Sequence, residues 1–192
     1  MNNNMKKNAE EEKVMHKDLK SVLMTEEEIF QTVTRIAEEI NRDYKDKSLF
    51  AIVILKGSMF FASDLLKKLD IPVALDFMKV SSYANTASSS GIVNLSLDTL
   101  DDLSGLDVLI IEDIIDSGNT LSKIKALLAN RNANSVKICT LLDKPDRRVV
   151  DITSDYVGKV IPNEFVVGYG LDYAEGYRNL PYIGILDESV YS

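Results

Sequence analysis

Residues 108–121 read Val-Leu-Ile-Ile-Glu112-Asp113-Ile-Ile-Asp116-Ser117-Gly118-Asn119-Thr120-Leu121. An apolar run ends in two carboxylates, and a loop of small polar residues then opens onto a helical pattern. Such a loop turns several backbone N–H groups inward at the positive end of a helix, which suits a phosphate. Gly118 allows close backbone approach, while Ser117 and Thr120 add hydroxyl donors. The carboxylates suit sugar hydroxyls, as acidic residues do in dinucleotide sites. Together they predict a pocket for a ribose 5-phosphate. It is neither a Gly-x4-Gly-Lys loop nor a Gly-x-Gly-x-x-Gly fingerprint. An acid pair alone would be a solvated strand end, and Asp116 with Ser117 alone a helix cap; the whole run is more specific. One tension remains. Adjacent strand residues point to opposite faces, so Glu112 and Asp113 reach one sugar only if the strand curls or ends there.

The elements that must position this loop are legible by period. Thr25 and Glu28 match a capping box, and Ile29, Val33, Ile36 and Ile40 follow at helical spacing to about Tyr44. Leu49–Leu55, Val108–Ile111 and Ser135–Leu142 are apolar runs of the kind buried on both faces of a sheet. Helices are predicted over Ser58–Leu69 and Leu121–Asn130, and a strand over Pro72–Tyr83. Residues 84–91 read as a loop, 92–97 as an antiparallel ribbon partner, and Phe165–Val167 and Tyr182–Leu186 as short strands. Buried strands alternating with helices predict an α/β domain with a mostly parallel sheet, its ligand chemistry at the carboxyl ends of the strands.

Charge narrows the partners. Twenty-two basic and 30 acidic residues give a net charge of −8, which opposes general nucleic-acid binding but not a small anion. The one cysteine, Cys139, lies in an apolar run and reads as a buried thiol; one Cys and one His cannot make a metal cluster. The longest apolar run, Leu49–Leu55, is far short of the ~18 residues of a membrane helix. Residues 1–14 carry no signal-peptide core and predict a disordered tail, with Met15 an alternative start and residues 15–192 a single domain. A cytoplasmic location is expected. Asp98, Asp101 and Asp102 read as a solvated acidic turn.

The run 108–121 resembles the phosphoribosyl pyrophosphate-binding motif of type I phosphoribosyltransferases. Two further stretches, Leu55-Lys56-Gly57-Ser58 and Phe165 to Leu180, resemble the hypoxanthine-guanine phosphoribosyltransferases, as does Ser81-Ser82-Tyr83. The resemblance spans about His16 to Asp187. It implies the type I phosphoribosyltransferase fold, with a small hood built from the terminal segments. It also implies a purine salvage reaction: the 5-phosphoribosyl group passes from phosphoribosyl pyrophosphate to hypoxanthine or guanine, with Mg2+.

The same resemblance implies roles. Asp116, Ser117, Gly118, Asn119 and Thr120 would hold the 5-phosphate, Glu112 and Asp113 the ribose hydroxyls, and Asp116 would take the N7 proton of the base. Lys56 and Gly57 form the pyrophosphate loop, whose Leu55–Lys56 peptide is a candidate for cis; Ser82 and Tyr83 open a loop that closes over it. Lys144 would donate to the purine O6, Phe165 would stack on the base, and the Val166 backbone would read its edge. Asp172 would hold magnesium beside the base, Glu112 and Asp113 are the other candidate metal ligands, and Arg178 would pair with pyrophosphate. Asn119 stands where some relatives carry lysine. A homo-oligomer, dimer or tetramer, is usual in the family. The competing readings are a non-catalytic phosphoribosyl pyrophosphate sensor and a xanthine- or pyrimidine-directed transferase.

Overall fold

The computed structural model describes residues 15–80, 95–100 and 102–192. The expected tail 1–14, Ser82, Tyr83, the loop 84–91 and Asp101 lie outside them. Six strands form the main sheet. In chain order they are β2 (Leu49–Leu55), β3 (Val73–Val80), β4 (Leu95–Leu97), β5 (Asp107–Ile115), β6 (Ser135–Asp143) and β7 (Tyr156–Val160). Their order across the sheet is β4-β3-β2-β5-β6-β7, parallel except for the antiparallel edge strand β4.

Helix α1 (Glu26–Asp43) starts at the predicted box: the Thr25 N–H donates to Glu28 Oε2 at 2.8 Å, and the Glu28 N–H donates to Thr25 Oγ1 at 3.2 Å. Its stripe Ile29, Val33, Ile36 and Ile40 is buried in one core with helix α2 (Met59–Leu66) and with Ala51, Val53, Leu109 and Ile111 of the sheet. Helix α3 (Asn119–Ala129) packs Leu121, Ile124 and Leu128 into a second core with Phe50, Ile52, Val108 and Ile110. The central strands are apolar on both faces because both faces are covered. Cys139 is fully buried, and burial pushes its thiol far above the usual range.

Three local differences have physical causes. α2 stops at Leu66, three residues short of the predicted end, because Lys68 and Leu69 donate to Leu65 and Leu66 and tighten the last turn. Ser58 does not cap this helix; its buried hydroxyl donates back to the Ile54 carbonyl. Asp98 is exposed, as a solvated turn residue would be, but it is also tied down: Arg131 clamps it with two hydrogen bonds of 2.8 and 2.6 Å.

A smaller sheet, β1 (Leu19–Met24), β9 (Ile183–Leu186) and β8 (Val166–Val167), is antiparallel and is the expected hood from the terminal segments. β1 is not legible from sequence because two register irregularities against β9 break its alternation. β7 is missed for another reason. It is an edge strand with Gly158 in its middle, where any Cβ would press on the Leu141 carbonyl of β6.

Candidate active site

The chain runs from β2 outward to β3 and then returns past β2 to β5. Strand order therefore reverses between β2 and β5, which opens a crevice at their carboxyl ends. The predicted loops converge there. Lys56 and Gly57 follow β2, the acid pair and loop end β5, and Lys144 follows β6.

β5 does not end at the acid pair; it changes phase there. Leu109 and Ile111 face the first core and Val108 and Ile110 the second, but beyond the pair Ile114 belongs to the first and Ile115 to the second. The pleat thus slips across Glu112-Asp113. The Asp113 N–H donates to Glu112 Oε1 at 3.3 Å and the Ile114 N–H to Asp113 Oδ1 at 2.7 Å. The two carboxyls come within hydrogen-bonding reach of each other, so the curl that a shared sugar requires is present.

Withdrawal from water raises the Glu112 carboxyl well above its usual range, and the Asp113 charge adds to it. Burial also raises Asp113, against the opposing pull of Arg178. Among the described residues no Lys or Arg makes an ion pair with either acid. Gly57 lies directly against Asp113, and a Cβ there would overlap its carboxylate. The Leu55–Lys56 peptide, the candidate bond, is cis.

Gly118 caps α3 in the left-handed region, φ +82°, and an added Cβ would lie 3.0 Å from Arg148 Cδ. The Ser117 carbonyl accepts from the Val149 N–H at 3.1 Å, and the Asn119 N–H donates to Ser117 Oγ at 3.4 Å. Asn119 and Thr120 are exposed at the helix start, where first-turn amides have no intrahelical acceptor. Asp116 pairs with Arg147, Nε to Oδ1 3.0 Å, and Arg148 forms a largely buried pair with Asp143. Arg147 ties the segment after Lys144 to the loop 116–120, while Arg148 holds that segment to the end of β6. Sequence reasoning missed both, although the dipeptide sits only three residues beyond Lys144.

Lys144 is not the solvated turn residue that its neighbour Pro145 suggests. It is 8% exposed, makes no ion pair with any described carboxylate, and burial lowers its pKa against the pull of Asp116. Phe165 is 37% exposed and Val166, in β8, is buried. The hood reaches the loop after β2: Lys56 pairs with Glu175 at 3.0 Å, and Gly170 packs on the Gly57 carbonyl. Arg178 pairs with Asp172 at 2.8 Å and donates to the Gly170 carbonyl at 2.7 Å, while its Nε is buried without a partner. Glu175 was not predicted; it lies in a turn of positive-φ residues that carries no periodic signal.

Asp172 does not join Glu112 and Asp113 in one metal-binding cluster, and no group of three His, Cys, Asp or Glu able to hold a metal occurs among the described residues. The donor set still fits magnesium, which takes one or two carboxylates and fills its shell from substrate oxygens and water. An acid pair without a cation partner is a fitting half-site.

A small polar loop opening onto a helix at a switch point, beside an antiparallel hood, is the architecture of a phosphoribosyltransferase, and residues 22–174 match the Phosphoribosyl transferase domain, the family to which this chain belongs. Within it, the chain sits among the hypoxanthine-guanine phosphoribosyltransferases. The protein of that name from Staphylococcus epidermidis is 53% identical over 178 residues, covering 93% of this chain and 99% of its own length. Its Staphylococcus aureus namesake is equally similar, at 53% over 178 residues. A crystal structure of a Staphylococcus aureus hypoxanthine phosphoribosyltransferase has a TM-score of 0.87 at 53% identity, over 93% of this chain and 97% of that one. The Trypanosoma cruzi hypoxanthine phosphoribosyl transferase has a TM-score of 0.87 at 40% identity, over 92% of this chain and 96% of that one.

Proposed function

We propose that this chain transfers the 5-phosphoribosyl group from phosphoribosyl pyrophosphate to hypoxanthine or guanine, giving the nucleoside 5'-monophosphate and pyrophosphate. The observation that carries this reading is a buried Lys144, in no ion pair with a described carboxylate, at the same crevice as the loop 116–120 and the acid pair. A buried ammonium with no ion-pair contact calls for an acceptor, and a purine O6 supplies one. Adenine offers a donor at that position and leaves the cation unpaired, which gives discrimination.

The remaining roles follow from the same placement. The loop 116–120 holds the 5-phosphate through backbone N–H groups, and Glu112 with Asp113 takes the ribose hydroxyls. The bond from C1 to pyrophosphate breaks as the bond to N9 forms, and the proton on N7 passes to Asp116. Arg147 holds one oxygen of Asp116 and leaves the other to accept. Lys56, the Gly57 backbone and Arg178 stabilise charge on the leaving group, exchanging their pairs with Glu175 and Asp172 for phosphate oxygens. Phe165 stacks on the base, the Val166 backbone reads its edge, and Ser82 and Tyr83 belong to the loop that excludes water. Magnesium, when bound, neutralises pyrophosphate charge, and Asp172, Glu112 and Asp113 are the residues that would hold it. We place the enzyme in the cytoplasm as a homo-oligomer, to which the exposed apolar side chains Met59, Leu75 and Phe77 lend support.

A spectrophotometric assay with phosphoribosyl pyrophosphate, magnesium and a panel of bases tests the reading. Turnover of hypoxanthine and guanine but not adenine is expected. Binding of phosphoribosyl pyrophosphate without turnover of any base would replace it with a sensor.

A further inference from the structure

Phe165 is one of the large apolar side chains left exposed, at 37%. It is nonetheless held. The Tyr191 ring stacks on it with centroids 5.0 Å apart and planes 28° apart, and Tyr173 stands perpendicular to it, 5.6 Å away at 89°. Tyr191 also meets Tyr173, at 6.3 Å, so the three rings close on one another. A stack covers only one face of a ring; the exposure that remains on Phe165 is the area those two tyrosines do not cover.

Tyr191 is itself anchored, although it is the penultimate residue. It caps a single 3-10 turn, Glu188–Val190, and its N–H donates to the Glu188 carbonyl at 3.2 Å. Asp187 starts that turn by accepting from the Ser189 N–H at 2.9 Å and from its hydroxyl at 2.6 Å. The Asp187 N–H donates in turn to the Asp18 carbonyl at 2.9 Å, which ties the turn to the start of β1. The segment 187–191 thus delivers one aromatic ring to the back of Phe165. It lies outside residues 22–174, the part of the chain that matches the domain family.

We propose that Tyr191 is a positioning residue for the purine: its ring backs Phe165 and presents the opposite face of that ring to the base. This rests on the assignment of Phe165 to the base. A ring that must stack on a ligand loses affinity when it is free to swing, because binding must then restrict its rotation. Offset stacking supplies the restraint without a hydrogen bond, so the ring matters and the hydroxyl does not.

Steady-state kinetics on the full chain test this, with hypoxanthine and guanine varied at saturating phosphoribosyl pyrophosphate and the reverse. Tyr191→Ala should raise the KM of the base roughly three- to tenfold, the size of one aromatic pair. The KM of phosphoribosyl pyrophosphate should not move. Tyr191→Phe should restore the base KM. An unchanged base KM in Tyr191→Ala, or a parallel rise for both substrates, overturns the inference. Phe165→Ala separates the two layers of the argument. If it leaves the base KM unaltered, the base assignment falls and this inference with it; if it raises that KM and Tyr191→Ala does not, this inference alone falls.

Discussion

Gly57 and Asp113 are packed so closely that any side chain at position 57 would occupy the space of the Asp113 carboxylate. One residue belongs to the loop after β2 and the other to the acid pair in β5, so their contact sets the width of the crevice between the two strands. Gly57→Ala should therefore cost about 1–3 kcal/mol of stability, as overpacking does, and displace Asp113 from the sugar. Thermal unfolding should show the first effect. A fall in kcat/KM of more than ~100-fold would show the second, misplacement of about 1 Å being enough for that.

Asp116 and Arg147 are each about half exposed, at 41% and 51% for their side chains. Their ion pair should add less than about 1 kcal/mol to stability. Arg147→Ala should leave the melting temperature within a degree or two of the parent. Asp116→Asn should lower turnover by roughly 100-fold or more, the scale of lost general-base catalysis, with substrate KM values little changed. Equal turnover in Asp116→Asn would remove its role as proton acceptor.

Lys144→Gln should erode base selectivity more than stability. The amide still fits the buried site but can accept as well as donate, so it tolerates an amino group where the ammonium does not. The ratio of kcat/KM for hypoxanthine to that for adenine should fall by at least ~10-fold. A competition assay with both bases present measures this directly.

The Asp98–Arg131 clamp gives the molecule an acid-sensitive tie. The Arg131 guanidinium holds the Asp98 carboxyl below its ordinary value of 3.8. The unfolded chain then binds more protons than the native one between the two values, so the stabilisation is complete above the unfolded pKa and is lost as pH falls through the folded one. Asp98 is partly exposed, so screening limits the effect to about 1 kcal/mol. Asp98→Asn should lower the melting temperature at neutral pH, and the difference from the parent should shrink as pH falls through the folded-state value of Asp98; a difference undiminished in acid would place the effect elsewhere.

Much of this was legible without coordinates, because the signals are local. Thr25 and Glu28 are three residues apart and cap their own helix. The run Leu49–Leu55 is apolar throughout, and Ile138–Leu142 is so but for Thr140, because helices cover both sides, and that coverage is recorded in the residues themselves. The loop 116–120 is local in the same sense. Its glycine, hydroxyls and helix start lie within a few residues of one another, so order along the chain specifies their geometry.

Tertiary structure decided what joins distant segments. Period alone put Glu112 and Asp113 on opposite faces; the slip in β5 that brings their carboxyls together depends on packing against both cores. Lys144 stands beside Pro145 as a turn residue would, and its burial was decided only by the tertiary structure. Arg147 on Asp116 spans 31 positions and Lys56 on Glu175 spans 119, and no spacing rule reaches that far. Composition and period determine which elements form and which loop can hold a phosphate. Which charges meet, and which stay unpaired to await a substrate, is set only when the sheet order brings the strand ends together.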